Sequence, residues 1–168
     1  LSIVFTIFCI LILTNSLNFY DGINGQSCFI FIYFFTYLLL MSDFNLFYLT
    51  CIFLLLIVML QNLKNMLFLG DSGVYLMSII LSISLIYEHN IHKSIVFADE
   101  IFFLLLLPGL DLLRLTISRS LNKKNPFLGD RQHIHHLFIN KFSLLFSNII
   151  LLLMSILPLF LFFFLNLN

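Results

Sequence analysis

Charge is scarce in this sequence. Its 168 residues hold eight Lys and Arg and eight Asp and Glu, 10% in all, where a soluble domain carries about 25%. So few charges cannot cover a soluble globule of this size, and 61% hydrophobic residues exclude a disordered chain. The two signs balance, so there is no basic surplus for a nucleic acid. Cysteine is sparse too. Cys9, Cys28 and Cys51 lie in or beside apolar runs without CxxC spacing, which argues against a disulfide framework or a zinc-thiolate site. Tryptophan is absent, and no Pro- or Ser-rich linker or internal repeat divides the chain. A single domain over 1–168 is the simplest organisation.

What the chain has is apolar runs, at 1–14, 27–41, 44–60, 74–87, 95–117 and 143–165. A spanning helix takes about 20 apolar residues. One such run fits a soluble core, but six do not. The expected fold class is therefore all-α, a polytopic transmembrane helical bundle of about six spans. The basic residues orient it. Six spans put 15–26, 61–73 and 118–142 on one side, and that side holds Lys64, Arg119, Lys123, Lys124, Arg131 and Lys141. The other side has only Lys93. Excess Lys and Arg mark the cytoplasmic face.

Most of the chemistry-bearing residues sit in those three segments. The first contains Asn15, Asn18, Asp21 and Asn24 at intervals of three, with Gly22 and Gly25. A helical continuation would gather the four along one side, and a turn would use the freedom of the glycines. Either way oxygens concentrate where Mg²⁺ or a nucleotide could bind; a loop capped by Asn and turned by Gly is the plainer reading. The second, Phe68-Leu69-Gly70-Asp71-Ser72-Gly73, sets Asp71 before a helix N-terminus, which favours phosphate or uses Asp71 and Ser72 as simple caps. The third contains Asp130-Arg131-Gln132-His133-Ile134-His135-His136. Its histidines suit a transition metal or, with Arg131, Lys123 and Lys124, a diphosphate; its cations would also suit anionic lipid. Within the fifth run, Asp111 and Arg114 are one turn apart and predict an ion pair. Asp99 and Glu100, at the far end of that run, are expected to be solvated.

Taken together, NxxNxxDGxNG at Asn15–Gly25, FLGDSG at Phe68–Gly73 and NPFxxDRxHIHH at Asn125–His136 resemble one family. This is the polyprenyl-phosphate N-acetylhexosamine-1-phosphate transferases, glycosyltransferase family 4, which include bacterial undecaprenyl-phosphate GlcNAc-1-phosphate transferases. The resemblance implies transfer of a sugar-1-phosphate from a UDP-N-acetylhexosamine to polyprenyl phosphate, with release of UMP. It places the enzyme in the bacterial inner membrane with its active segments cytoplasmic, where it would initiate a cell-envelope polysaccharide such as an O-antigen, and it leaves a homodimer open. It implies Mg²⁺, with Mn²⁺ as a substitute, on Asp71 and Asn18. Asn15, Asp21, Asn24 and Arg131 would bind substrate, and His133, His135 and His136 would join Asp71 in the catalytic set.

One family feature is missing. The paired aspartate of an earlier cytoplasmic loop is absent, since no Asp-Asp occurs. With the start at Leu1 inside an apolar run, the expectation is the C-terminal half of a ten- or eleven-span fold. The other readings are a non-catalytic membrane remnant and an ion or metal transporter.

Overall fold

A computed structural model describes residues 3–42, 45–92, 98–121 and 134–166. The described residues form helices and turns only. In chain order the helices are α1 (Ile3–Tyr20), α2 (Gln26–Met41), α3 (Leu46–Leu63), α4 (Gly70–Tyr87), α5 (Ala98–Leu104), α6 (Leu106–Leu121), α7 (Ile134–Ile139) and α8 (Leu144–Asn166). A π-helical turn, Glu88–His92, continues α4. Bilayer hydrocarbon offers the backbone no hydrogen-bond partner, so an apolar run must satisfy its own N–H and C=O groups as a helix. The first three runs contain neither Pro nor Gly to interrupt one. The chain is an all-α, multi-pass bundle of the kind expected from its composition.

Among the described residues, four helices are long and apolar enough to cross a membrane: α1, α3, α4 with its extension, and α8. The other two expected spans differ from simple rods. Helix α2 has 16 residues, about 24 Å at 1.5 Å per residue, which is short of a bilayer core of about 30 Å. It is also the central helix, packing on α3, α8, α4 and α1. Phe31, Phe34 and Phe35 have no exposed surface. Lipid tails are as apolar as these rings, so close packing and not water expulsion holds the helices together.

The run expected as one span at 95–117 is two helices, α5 and α6, bent by 67°. Pro108 explains the break. It has no N–H for the Leu104 carbonyl, and its ring clashes with that carbonyl. Placed in the first turn of α6, where intrahelical donors are not required, it is tolerated.

Outward faces carry apolar side chains such as Phe8, Phe53, Leu76, Leu153 and Phe160, as a lipid-facing surface requires. Three serine hydroxyls inside the spans bond back to their own helices. Ser78 donates to the Val74 carbonyl, Ser82 to Ser78 and Ser155 to Leu151, at 2.7 to 2.9 Å.

The end of the bundle expected to be external is tied by two buried carboxylates. The Tyr48 hydroxyl donates to Glu88 at 2.7 Å, and the Tyr37 hydroxyl donates to Glu100 at 2.8 Å. Glu100 thus corrects the expectation of a solvated residue: it is buried, because α2 presents a phenol where the carboxylate can be satisfied. Its neighbour Asp99 is exposed, as expected.

Candidate active site

The opposite end of the bundle brings the first two polar segments together. Helix α1 runs on through Tyr20, so Asn15 and Asn18 belong to its last turns. The chain then turns sharply. The Asp21 N–H donates to the Leu17 carbonyl at 3.2 Å, and the Gly22 N–H donates to Gln26 Oε1 at 3.3 Å. Gly25 adopts φ 87°, a left-handed conformation that costs a residue with Cβ about 1–2 kcal/mol. Asn15, Asn18, Asp21 and Asn24 therefore do not continue along one helix; of the two arrangements open from sequence, the turn is the one adopted. Asn15 is exposed and its amide donates to the Leu11 carbonyl of its own helix at 2.8 Å. Asp21 and Asn24 stand in the turn itself.

A cluster of amides locks this turn to two other elements. Asn62, buried in the last turn of α3, accepts the Gly25 N–H on Oδ1 and donates to the Leu67 carbonyl at 2.9 Å. Asn65, at φ 58°, accepts from the Asn24 side chain. Asn148 of α8 donates to the Asn24 carbonyl at 2.8 Å. The result is a cleft of about 220 Å³ lined by Asp21, Asn24, Asn62, Phe68 and Gly70 among others. Asp71 follows in the first turn of α4, exposed, where the helix dipole favours a negative charge.

Burial holds the Asp21 carboxyl above the ordinary value of 3.8, and the nearby charge of Asp71 pushes it the same way; the Ser27 hydroxyl, which donates to Asp21, works against both. Asp21 is thus within reach of a charge contributed by a different segment. Asn18, one turn before Asp21, has its side-chain oxygen buried without a hydrogen-bond partner, a state that costs about 1–3 kcal/mol unless a ligand satisfies it. Among the described residues no three of His, Cys, Asp and Glu converge.

The third segment enters through α7. Arg131 and His133 lie outside the described residues. His135 and His136 stand on α7, whose Ile134, Phe138 and Ile139 pack against the core. The predicted ion pair is present: Arg114 Nη2 donates to Asp111 Oδ1 at 2.9 Å.

The turn, Asn62, Asn65 and both carboxylates fall in the first ninety residues, with Asn148 reaching them from α8, and over that stretch a family match is found. The model of glycosyl transferase family 4 matches residues 1–89, more than half of the chain. The chain belongs to glycosyl transferase family 4. The match takes in the Asn15–Gly25 and Phe68–Gly73 stretches of this glycosyl transferase; Asn125–His136 lies beyond it. No curated protein and no solved structure matches the chain. Membership of the family makes the protein a membrane-embedded transferase with a lipid-phosphate acceptor.

Reading the sequence missed Asn62, Asn65 and Asn148 in this transferase. Asn148 carried the clearer signal, because a lone amide within the last apolar run is costly unless it meets a partner inside the bundle. Asn148→Leu is expected to remove its bond to the Asn24 carbonyl and cost about 1 kcal/mol. Thermal unfolding in detergent, compared with the parent, checks this.

Proposed function

We propose that this glycosyl transferase catalyses sugar-1-phosphate transfer from a UDP-N-acetylhexosamine to polyprenyl phosphate at the cytoplasmic membrane face. A phosphate oxygen of the acceptor attacks the sugar-bearing phosphorus, the bond from that phosphorus to the bridging oxygen breaks, and UMP leaves with that oxygen. The observation that carries this reading is the polar cleft lined by Asp21, Asn24 and Asn62, with Asp71 in the first turn of α4 just after its Gly70 wall. Reacting phosphates need their charge offset and their atoms aligned, and little else from the protein.

The residues suit a divalent cation. Mg²⁺ favours one or two carboxylates and completes its shell with water and substrate phosphate oxygens. Asp71 and Asp21, with the unpartnered Asn18 oxygen, offer such a set. Bound there, Mg²⁺ or Mn²⁺ would supply charge neutralisation across the donor diphosphate. The chain's own groups do the rest. The N-terminus of α4 favours the same anion through its free N–H groups. Asn24, fixed by Asn65 and Asn148, is a hydrogen-bonding group held at the cleft wall. Arg131, His133, His135 and His136 are assigned to the donor phosphates by the family resemblance.

Full-length protein in membrane vesicles, given labelled UDP-N-acetylglucosamine, undecaprenyl phosphate and Mg²⁺, should yield a labelled diphospholipid and UMP. Absence of both products would sink the reading.

A pH dependence follows from Asp21. Its raised value means that the folded chain holds this proton to higher pH than the unfolded chain does. The associated stability is present below the unfolded value and is lost as pH rises through the folded one. A cation competes with the same proton. The Mg²⁺ concentration for half-maximal activity should therefore climb on acidification at a pH above the usual carboxylate range. That climb should shift in Asp21→Asn, as Mg²⁺ titrations at several pH values would reveal.

A further inference from the structure

Asp111 lies on α6, well before its C-terminal end, and its side chain is 2% exposed. A buried carboxylate is tolerated only where charge and hydrogen bonds compensate it. Arg114, half-exposed one turn on, supplies the charge through Nη2 at 2.9 Å and Nε at 3.3 Å. The same carboxylate oxygen, Oδ1, also accepts the backbone N–H of Ile134 at 3.3 Å.

Ile134 is the first residue of α7. Its N–H is one of the donors that a helix start leaves without an intrahelical partner. The acceptor comes from 23 residues earlier in the chain, on a helix whose start is set by Pro108. Three features thus form one chain of cause. Pro108 breaks the span, α6 leaves the break with Leu107, Asp111, Leu115 and Arg119 buried, and Asp111 meets the start of α7. Nothing in the ion pair alone requires that last contact, since Arg114 is satisfied without it.

We propose that Asp111 is a positioning residue for the transfer reaction: held by Arg114, it fixes where α7 begins and so where His135 and His136 are carried relative to the cleft that Asp21 lines. This rests on the transfer reading above, in which the histidine stretch serves the donor. The role goes beyond a structural ion pair, because it couples a residue within the span to donor use.

The test compares Asp111→Ala, Asp111→Asn and Ile134→Pro in the full-length protein. The readouts are kcat, KM for UDP-N-acetylglucosamine, KM for undecaprenyl phosphate, and Mn²⁺ binding by electron paramagnetic resonance. Asp111→Ala should lower kcat/KM for the donor by about 100-fold, the effect of a displacement of about 1 Å at a reacting centre. Acceptor KM and Mn²⁺ affinity should stay at the parent values. Asp111→Asn retains an oxygen for Ile134 and should recover much of the loss. Ile134→Pro removes the donor from the other side, at a first helical position where proline is tolerated, and should reproduce the donor defect even where Asp111→Ala does not fold. The proposal is overturned if Asp111→Ala or Ile134→Pro keeps parental donor kinetics, or if every variant loses Mn²⁺ binding along with activity. An inactive parent would overturn the transfer reading and this one with it; an active parent with indifferent variants overturns the positioning role alone.

Discussion

Asp71→Asn is expected to abolish transfer while leaving the protein folded. Asp71 is exposed in the first turn of α4, so its contribution to folding is the helix-dipole term of about 0.3–1 kcal/mol. Its contribution to the reaction is larger. The donor diphosphate and acceptor phosphate bring several negative charges together, and removal of one group that stabilises the charge developing in a transition state costs about 10²–10³ in kcat. The Asp71 charge also pushes the Asp21 carboxyl up, so neutralising it should let Asp21 ionise more readily. Two measurements separate these effects: kcat at saturating Mg²⁺, expected to fall at least about 100-fold, and Mn²⁺ affinity, expected to weaken. An Asp71→Asn enzyme with parental kcat at every Mg²⁺ concentration would remove Asp71 from the metal and the reaction together.

Gly25→Val is expected to be strongly destabilising. Its backbone sits at φ 87°, and a Cβ there would meet Leu63 Cδ2 at 2.9 Å and Asn148 Nδ2 at 3.4 Å. The left-handed conformation costs about 1–2 kcal/mol, and overpacking adds about 1–3 kcal/mol. A loss of about 3 kcal/mol follows if both act at moderate strength. The damage is also local to the site. Gly25 donates its N–H to Asn62, and Asn148 holds the adjacent Asn24 carbonyl, so a displaced residue 25 unlocks the turn that carries Asp21. Activity and unfolding temperature should fall together. Gly22→Ala is the control: Gly22 is exposed, lies outside the left-handed region and keeps its N–H for Gln26, so that variant should remain close to the parent. Equal unfolding temperatures for Gly25→Val and Gly22→Ala would contradict the account of the turn.

Much of this architecture was legible because apolar runs have one solution in a bilayer. Backbone groups without water must close on themselves, so each long run had to become a helix. The ends of helices were less legible. Asn15 and Asn18 read as part of a loop, yet α1 continues through Tyr20, since nothing before Asp21 and Gly22 opposes a helix. The Pro108-Gly109 pair was visible inside the fifth run, but hydropathy averages over a break that depends on one missing N–H. Glu100 looked solvated because it stands beside Asp99 near a helix start, and only the position of Tyr37 on α2 makes it a buried acceptor.

The candidate site divides in the same way. From sequence alone came the membrane class, the three polar segments, their placement on one face and the choice of Asp21 and Asp71, because composition and motif order are properties of the chain itself. The tertiary structure decided that Asn62, Asn65 and Asn148 hold the turn that carries Asp21, and that Asp111 meets the start of α7. Each of these is a contact between residues up to 124 positions apart, set by how helices pack and where their last turns stop, and no local pattern encodes that.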